Sequence, residues 1–96
     1  MTKRKTAEES AHMGRIAEMP CAVCSITEQQ QDSATCVHHI RDGVGLSQRS
    51  GHFLTVPLCY YHHQGGGGIH TLGTRLFETR YKLSEMDLLA FAISRL

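Results

Sequence analysis

Two short spacings constrain this chain more than anything else in it: Cys21-x2-Cys24 and Cys59-x2-His62. Each presents two ligands from one turn of backbone. Together they form a Cys3His set, a tetrahedral donor shell suited to structural Zn2+. Either pair alone is a weak signal, since buried free cysteines are common in small cores. Both pairs within 96 residues are a strong one. A metal staple also answers a shortage, because three Phe, three Tyr, no Trp and a hydrophobic fraction of 41% make a modest core. No apolar run follows the opening MTKRK, which disfavours a secretory signal and disulfides and points to a reducing, cytoplasmic setting. No segment approaches the roughly 20 apolar residues of a membrane span. The fourth cysteine, Cys36, reads as packing, with replacement of one ligand as the alternative.

The net charge of +1 excludes a protein that holds nucleic acid by bulk charge. Residues 1–6 read as a mobile basic arm and residues 7–96 as a single domain. The stretch AEESAHMGRIAEM predicts a short helix with Ala11, Ile16 and Met19 at helical spacing, stopped by Pro20. CAVC predicts a tight knuckle turn, SITEQQQDSA a polar loop, and TCVHHI a first strand. RDGVGLSQRSGH, with three glycines, reads as a loop, and FLTVPLC as a second strand with Pro57 near its end. YYHHQ begins a short helix that GGGG at 65–68 interrupts. IHTLGTRLFETRYKL resumes as one helix with Leu72, Leu76 and Tyr81 inward. Ser84 and Asp87 fit a capping box for a last helix whose apolar face is Leu88, Leu89, Ala92 and Ile93. The fold class is α+β: helix, knuckle, β-hairpin, broken helix, helix.

The seven histidines are the larger anomaly. His38 and His39 are adjacent on the first strand, where successive side chains point to opposite faces. His12 and His52 stand alone, and once His62 joins the cysteines, His38, His39, His63 and His70 remain of the other five. Phosphodiester hydrolysis needs a metal that stabilises the charge developing on phosphate and leaving oxygen, and a base that activates water. Adjacent strand histidines can supply both, one turned to the metal and one to the water. Neutral imidazole takes a proton near neutrality. His63 and His70 come from the helix side to complete the metal site. Seven residues apart on an unbroken helix their rings would be about 10 Å apart, too far for one ion. The glycine run resolves this if it loops out and returns the chain. Otherwise the run is a surface insertion and His70 lies outside the site. Arg41, Gln48 and Arg49, in the loop between the strands, are candidates for phosphate contacts that fix register without reading sequence.

The stretches HMGRIAEMPCAVC, VHHIRDGVGLSQRSGHFLTVPLCYYHHQ and GIHTLGTRLFETRYKLSEMDLL, spanning about residues 12–90, together resemble the phage recombination-enhancement (Ref-type), RecA-dependent nucleases of the HNH, or ββα-metal, superfamily. The resemblance implies a small zinc-stabilised ββα-metal (His-Me finger) domain with flanking helices. It implies an endodeoxyribonuclease of a bacterial host's cytoplasm that cuts DNA at RecA filaments or strand-invasion intermediates. Carried over by position, His39 is the general base. His38, His63 and His70 hold the catalytic metal, and Cys21, Cys24, Cys59 and His62 hold the structural zinc. The family implies Mg2+ for catalysis, whereas three imidazoles suit Zn2+, Mn2+ or Ni2+ better. One departure stands out: the chain contains no Asn, so the middle letter of HNH is not literal. A backbone carbonyl, or a side chain such as His52 or Gln48, must orient His39 instead, and His52 is the first choice. A non-catalytic zinc adaptor for DNA or RecA is the competing class.

Overall fold

The computed structural model describes residues 5–41 and 51–96. The start of the basic arm (1–4) and the segment 42–50, with the candidate phosphate contacts Gln48 and Arg49, lie outside the described residues. The elements run in the order α1 (Ala7–Ala17), α2 (Ala22–Ile26), β1 (Thr35–His39), β2 (Thr55–Cys59), α3 (Tyr60–His63), α4 (Ile69–Leu72), α5 (Thr74–Tyr81) and α6 (Glu85–Ser94). The described residues form a small α+β arrangement with one two-stranded antiparallel sheet. No described helix is long and apolar enough to cross a membrane.

Helix α1 is capped by Thr6, which the sequence places in the arm. Its hydroxyl accepts from the Glu9 amide at 3.1 Å and the Glu9 carboxylate accepts from the Thr6 amide at 2.8 Å, a complete capping box. Ile16 and, beyond the helix, Met19 face the core, but Ala11 is exposed. CAVC is not a bare turn: Cys21 caps a short helix that runs on to Ile26.

The hairpin register pairs His38 with Val56, Val37 with Pro57 and His39 with Thr55. Pro57 therefore sits in the middle of β2 rather than near its end. The bonds Ile40 N–H to Leu54 C=O and Tyr60 N–H to Ala34 C=O set the phase of the ladder. They make Val37–Pro57 a non-hydrogen-bonded pair, so the missing proline donor faces away from β1 and costs no ladder bond. Every residue of β2 is buried, which requires cover on both faces; α1 packs on both strands, and α6 and α2 on β2.

Two packing expectations fail, one at a helix break and one at the edge of a helix face. Gly73 has φ +83°, a left-handed value open to glycine, and it splits the expected single helix into α4 and α5. The break resets the helical phase, so Phe77 takes the core position with Tyr81 against it, while Leu76 is 60% exposed. In α6 the buried stripe is Glu85, Leu88, Leu89 and Ala92, at i, i+3, i+4 and i+7. Ile93, expected inward, falls off that stripe and is exposed. The Ser84–Asp87 capping box is present as expected.

Candidate functional site

The zinc-spaced residues meet. Cys21, Cys24, Cys59 and His62 are buried and offer four donor atoms that lie within 4.8 Å of one another. The Nδ1 atom of His62 is 3.7 Å from Cys21 Sγ, 3.5 Å from Cys24 Sγ and 3.2 Å from Cys59 Sγ. Cys24 Sγ and Cys59 Sγ are 3.9 Å apart, far beyond a disulfide, and all four cysteines are free thiols. Zinc–sulfur and zinc–nitrogen bonds in tetrahedral geometry span edges of about 3.8 Å between sulfurs and about 3.6 Å from sulfur to nitrogen. The observed spacings are of that size, so the residues fit one tetrahedral ion. Burial, with Cys21 and Cys59 close by, pushes the Cys24 thiol up to about 12. A bound cation reverses this, because zinc takes cysteine as thiolate and releases the protons.

Local structure holds the cluster in place. Cys21 Sγ caps α2 by accepting from the Cys24 amide at 3.5 Å. The Gln31 side chain accepts from the Cys21 amide at 2.7 Å and donates to Ser33 C=O and to the Thr35 hydroxyl. Thr35 in turn donates to Met19 C=O. The polar stretch read only as a loop is thus a clamp that ties α2 to β1, and nothing local in the sequence marks Gln31 for that task. Cys36 is outside the cluster and half-buried, in keeping with packing.

A second set of donors converges from three elements. His38 from β1, His63 at the end of α3 and His70 from α4 each offer a nitrogen within 4.8 Å of the others. His63 Nε2 and His70 Nε2 are 3.0 Å apart, close to the edge of about 3.3 Å that two nitrogens on one tetrahedral ion would share. Burial, followed by the nearby His38 and His70, lowers His63 to about 4, and burial also lowers His70. Both are therefore neutral donors near pH 7, as coordination requires.

The glycine run builds this convergence. It folds back so that the Gly68 amide bonds Gly65 C=O at 2.9 Å, and Tyr81 Oη–H anchors it by donating to Gly67 C=O at 2.8 Å. A Cβ at Gly68 would lie 2.5 Å from the His63 carbonyl oxygen and 2.6 Å from its carbon. Gly68 itself is extended (φ −87°), so space rather than torsion demands glycine. Gly68→Ala is expected to cost about 1–3 kcal/mol in denaturant unfolding, the range for forced overpacking. An unchanged midpoint would contradict this close approach.

The depressed His63 also sets a pH window. In the unfolded chain His63 takes a proton near 6.5, but in the folded chain only near 4. Its contribution to stability is thus complete above 6.5 and lost as pH falls through 4. Without added divalent cation, the stability advantage of wild type over His63→Gln should shrink as pH drops from 6.5 to 4. A constant difference in thermal midpoint would rule this out.

His39 lies on the other side of β1, half-buried. Its Nε2 is 3.0 Å from His52 Nδ1, with the rings edge to face. The turn that presents His52 is closed by Leu54 N–H to Gly51 C=O at 3.0 Å, and Thr55, paired with His39 in the ladder, donates to His52 C=O. Burial, then the neighbouring His52, His38 and Lys5, lowers His39 below its ordinary value. At neutral pH it is a free base. Arg41, at the exit of β1, is exposed, and its positive charge is felt at His70.

Sequence reasoning missed Glu85. It is 2% exposed, and its Oε2 lies 2.7 Å from His38 Nε2 while Oε1 accepts from the Arg41 amide at 2.9 Å. A signal existed: Glu85 stands in phase with the apolar stripe of α6, and an acid on a buried stripe needs partners.

A sequence profile of the family described as recombination enhancement, RecA-dependent nuclease matches residues 5–96, almost the whole chain. The chain belongs to that family. No curated protein sequence and no solved structure gives a significant match. For a RecA-dependent nuclease, the two converging donor sets and the His39–His52 pair are the natural places to look for chemistry.

Proposed function

We propose that the chain is a metal-dependent DNA endonuclease of the phage HNH type, acting in recombination on RecA-bound or strand-invasion DNA, with residues 7–96 as a single nuclease domain. The observation that carries this reading is that His63 and His70 converge on His38, whose strand also presents His39. Family membership supplies the reaction class. In this reading Cys21, Cys24, Cys59 and His62 hold a structural zinc.

His39 is the general base. If its Nε2–H donates to His52 Nδ1, its Nδ1 carries the lone pair that takes the proton from water. His52 thus does the orienting that Asn does in the wider superfamily. A divalent cation held by His38, His63 and His70, with Mg2+ implied by the family and Zn2+, Mn2+ or Ni2+ suited to three imidazoles, supplies charge neutralisation at the phosphate and leaving oxygen. Arg41, exposed and with its charge felt at His70, makes a phosphate contact, and Gln48 and Arg49 are assigned the same task from sequence. Such contacts carry no base readout, so cleavage is largely independent of sequence.

The test is cleavage of single-stranded, duplex and D-loop DNA, with and without RecA and ATP, over a series of divalent cations. The proposal expects metal-dependent products that RecA enhances. Binding without product under every condition would replace it with a non-catalytic zinc adaptor for DNA or RecA.

A further inference from the structure

Glu85, to which the proposed reaction assigns no task, forms a buried acid–imidazole pair with His38. Both residues are 2% exposed, and Nε2 and Oε2 approach to 2.7 Å. The pair joins segments 47 residues apart, the strand that carries both adjacent histidines and the first turn of α6. The second carboxylate oxygen receives the Arg41 amide at 2.9 Å, so Glu85 grips β1 and the chain just after it at two points. The helix N-terminus favours negative charge at this position.

The chemistry of the contact has a consequence for His38. A carboxylate only accepts hydrogen bonds, so the imidazole nitrogen facing it must carry the hydrogen. A neutral ring has one N–H and one lone pair. With the hydrogen on Nε2, the lone pair is on Nδ1. Glu85 is not among the donors that converge within 4.8 Å; that set is His38, His63 and His70. An acid on the far nitrogen of a ligating histidine fixes ring orientation and raises ligand basicity.

We infer that Glu85 is a positioning residue for the histidine cluster: it holds His38 in the Nε2–H form, so that Nδ1 is the nitrogen His38 presents to a divalent cation. The inference rests on the metal-site reading above, and it adds a residue and a ligating atom to that reading. The alternative role for Glu85 is structural, a tether between β1 and α6 that leaves the choice of nitrogen to the ring.

Two measurements separate these. The first uses protein carrying one zinc per chain, titrated with Co2+ and followed by its absorption, for wild type, Glu85→Gln and Glu85→Ala. Glu85→Ala is expected to weaken Co2+ binding by about 10- to 100-fold, the usual effect of losing such a partner. Glu85→Gln, which keeps an acceptor oxygen but not the charge, should fall between. Circular dichroism and retention of the first zinc verify the fold. Affinities equal to wild type in both variants would overturn the inference. The second is the 15N tautomer of His38 in the wild-type protein before Co2+ is added, which needs no variant to fold. An Nε2–H ring is expected, and an Nδ1–H ring would overturn the inference on its own. Wild type that takes up no Co2+ defeats the metal-site reading, and with it the cation half of this inference. The tautomer still decides whether Glu85 orients His38.

Discussion

Replacing Cys21 with serine is expected to remove one zinc per chain and, with it, the folded state. Cys21 is fully buried and contributes twice, as a donor in the Cys3His cluster and as the cap of α2. The elements it joins have little else to hold them. Helix α2 has five residues and α3 four, both too short to persist without tertiary support. Structural zinc binding contributes on the order of 10–16 kcal/mol in small zinc domains. A whole domain is stable by only about 5–15 kcal/mol. Loss of one donor therefore exceeds what the remaining core can offset. Metal analysis should show about one ion fewer per chain, and circular dichroism a loss of cooperative unfolding. The same should follow from a strong chelator on wild type. Unchanged zinc content in a cooperatively folded Cys21→Ser would remove the structural-zinc assignment.

His39→Ala is expected to lower the cleavage rate by about 10²- to 10⁴-fold, the usual contribution of a positioned general base. The fold should survive, because His39 is only half-buried and its ring contact is with a turn rather than the core. Zinc content and thermal midpoint are the controls. His52→Ala should cost less, about 10- to 100-fold, matching a hydrogen bond to a group that becomes charged in the reaction. The ordering of the two variants carries the argument: a base is indispensable, whereas its orienting partner only fixes which nitrogen is free. Equal rates for His39→Ala and wild type would remove His39 as the base. A His52→Ala effect as small as that of a surface change would leave a backbone group as the orienting partner.

Much of the site was legible because its signals are local. The two x2 spacings name the Cys3His cluster without reference to the fold, since each pair depends on one turn of backbone. Alternation along a strand separates His38 from His39, and the structure gives them different partners, Glu85 and His52. The glycine run also announced itself, because four consecutive glycines do not remain helical and His63 and His70 then need not be two turns apart.

What stayed hidden depends on contacts between distant segments or on phase. Leu76 and Ile93 were misplaced because helical phase was carried across Gly73 and along too wide a face of α6, although one residue with positive φ rotates everything after it. Gln31 looks like loop filler until its side chain meets Cys21 and Thr35. Glu85 reads as an ordinary first-turn acid, suited to the helix dipole, until α6 is laid against the sheet. Which residues carry candidate metal donors, and which histidines share a strand, can be read along the chain, because ligand chemistry and side-chain alternation are properties of a few adjacent residues. Which nitrogen meets which partner depends on how distant segments pack. Packing α6 against β2 brings a buried carboxylate to His38, and the turn before β2 brings His52 to His39, and each of those contacts exists only once the chain has closed on itself.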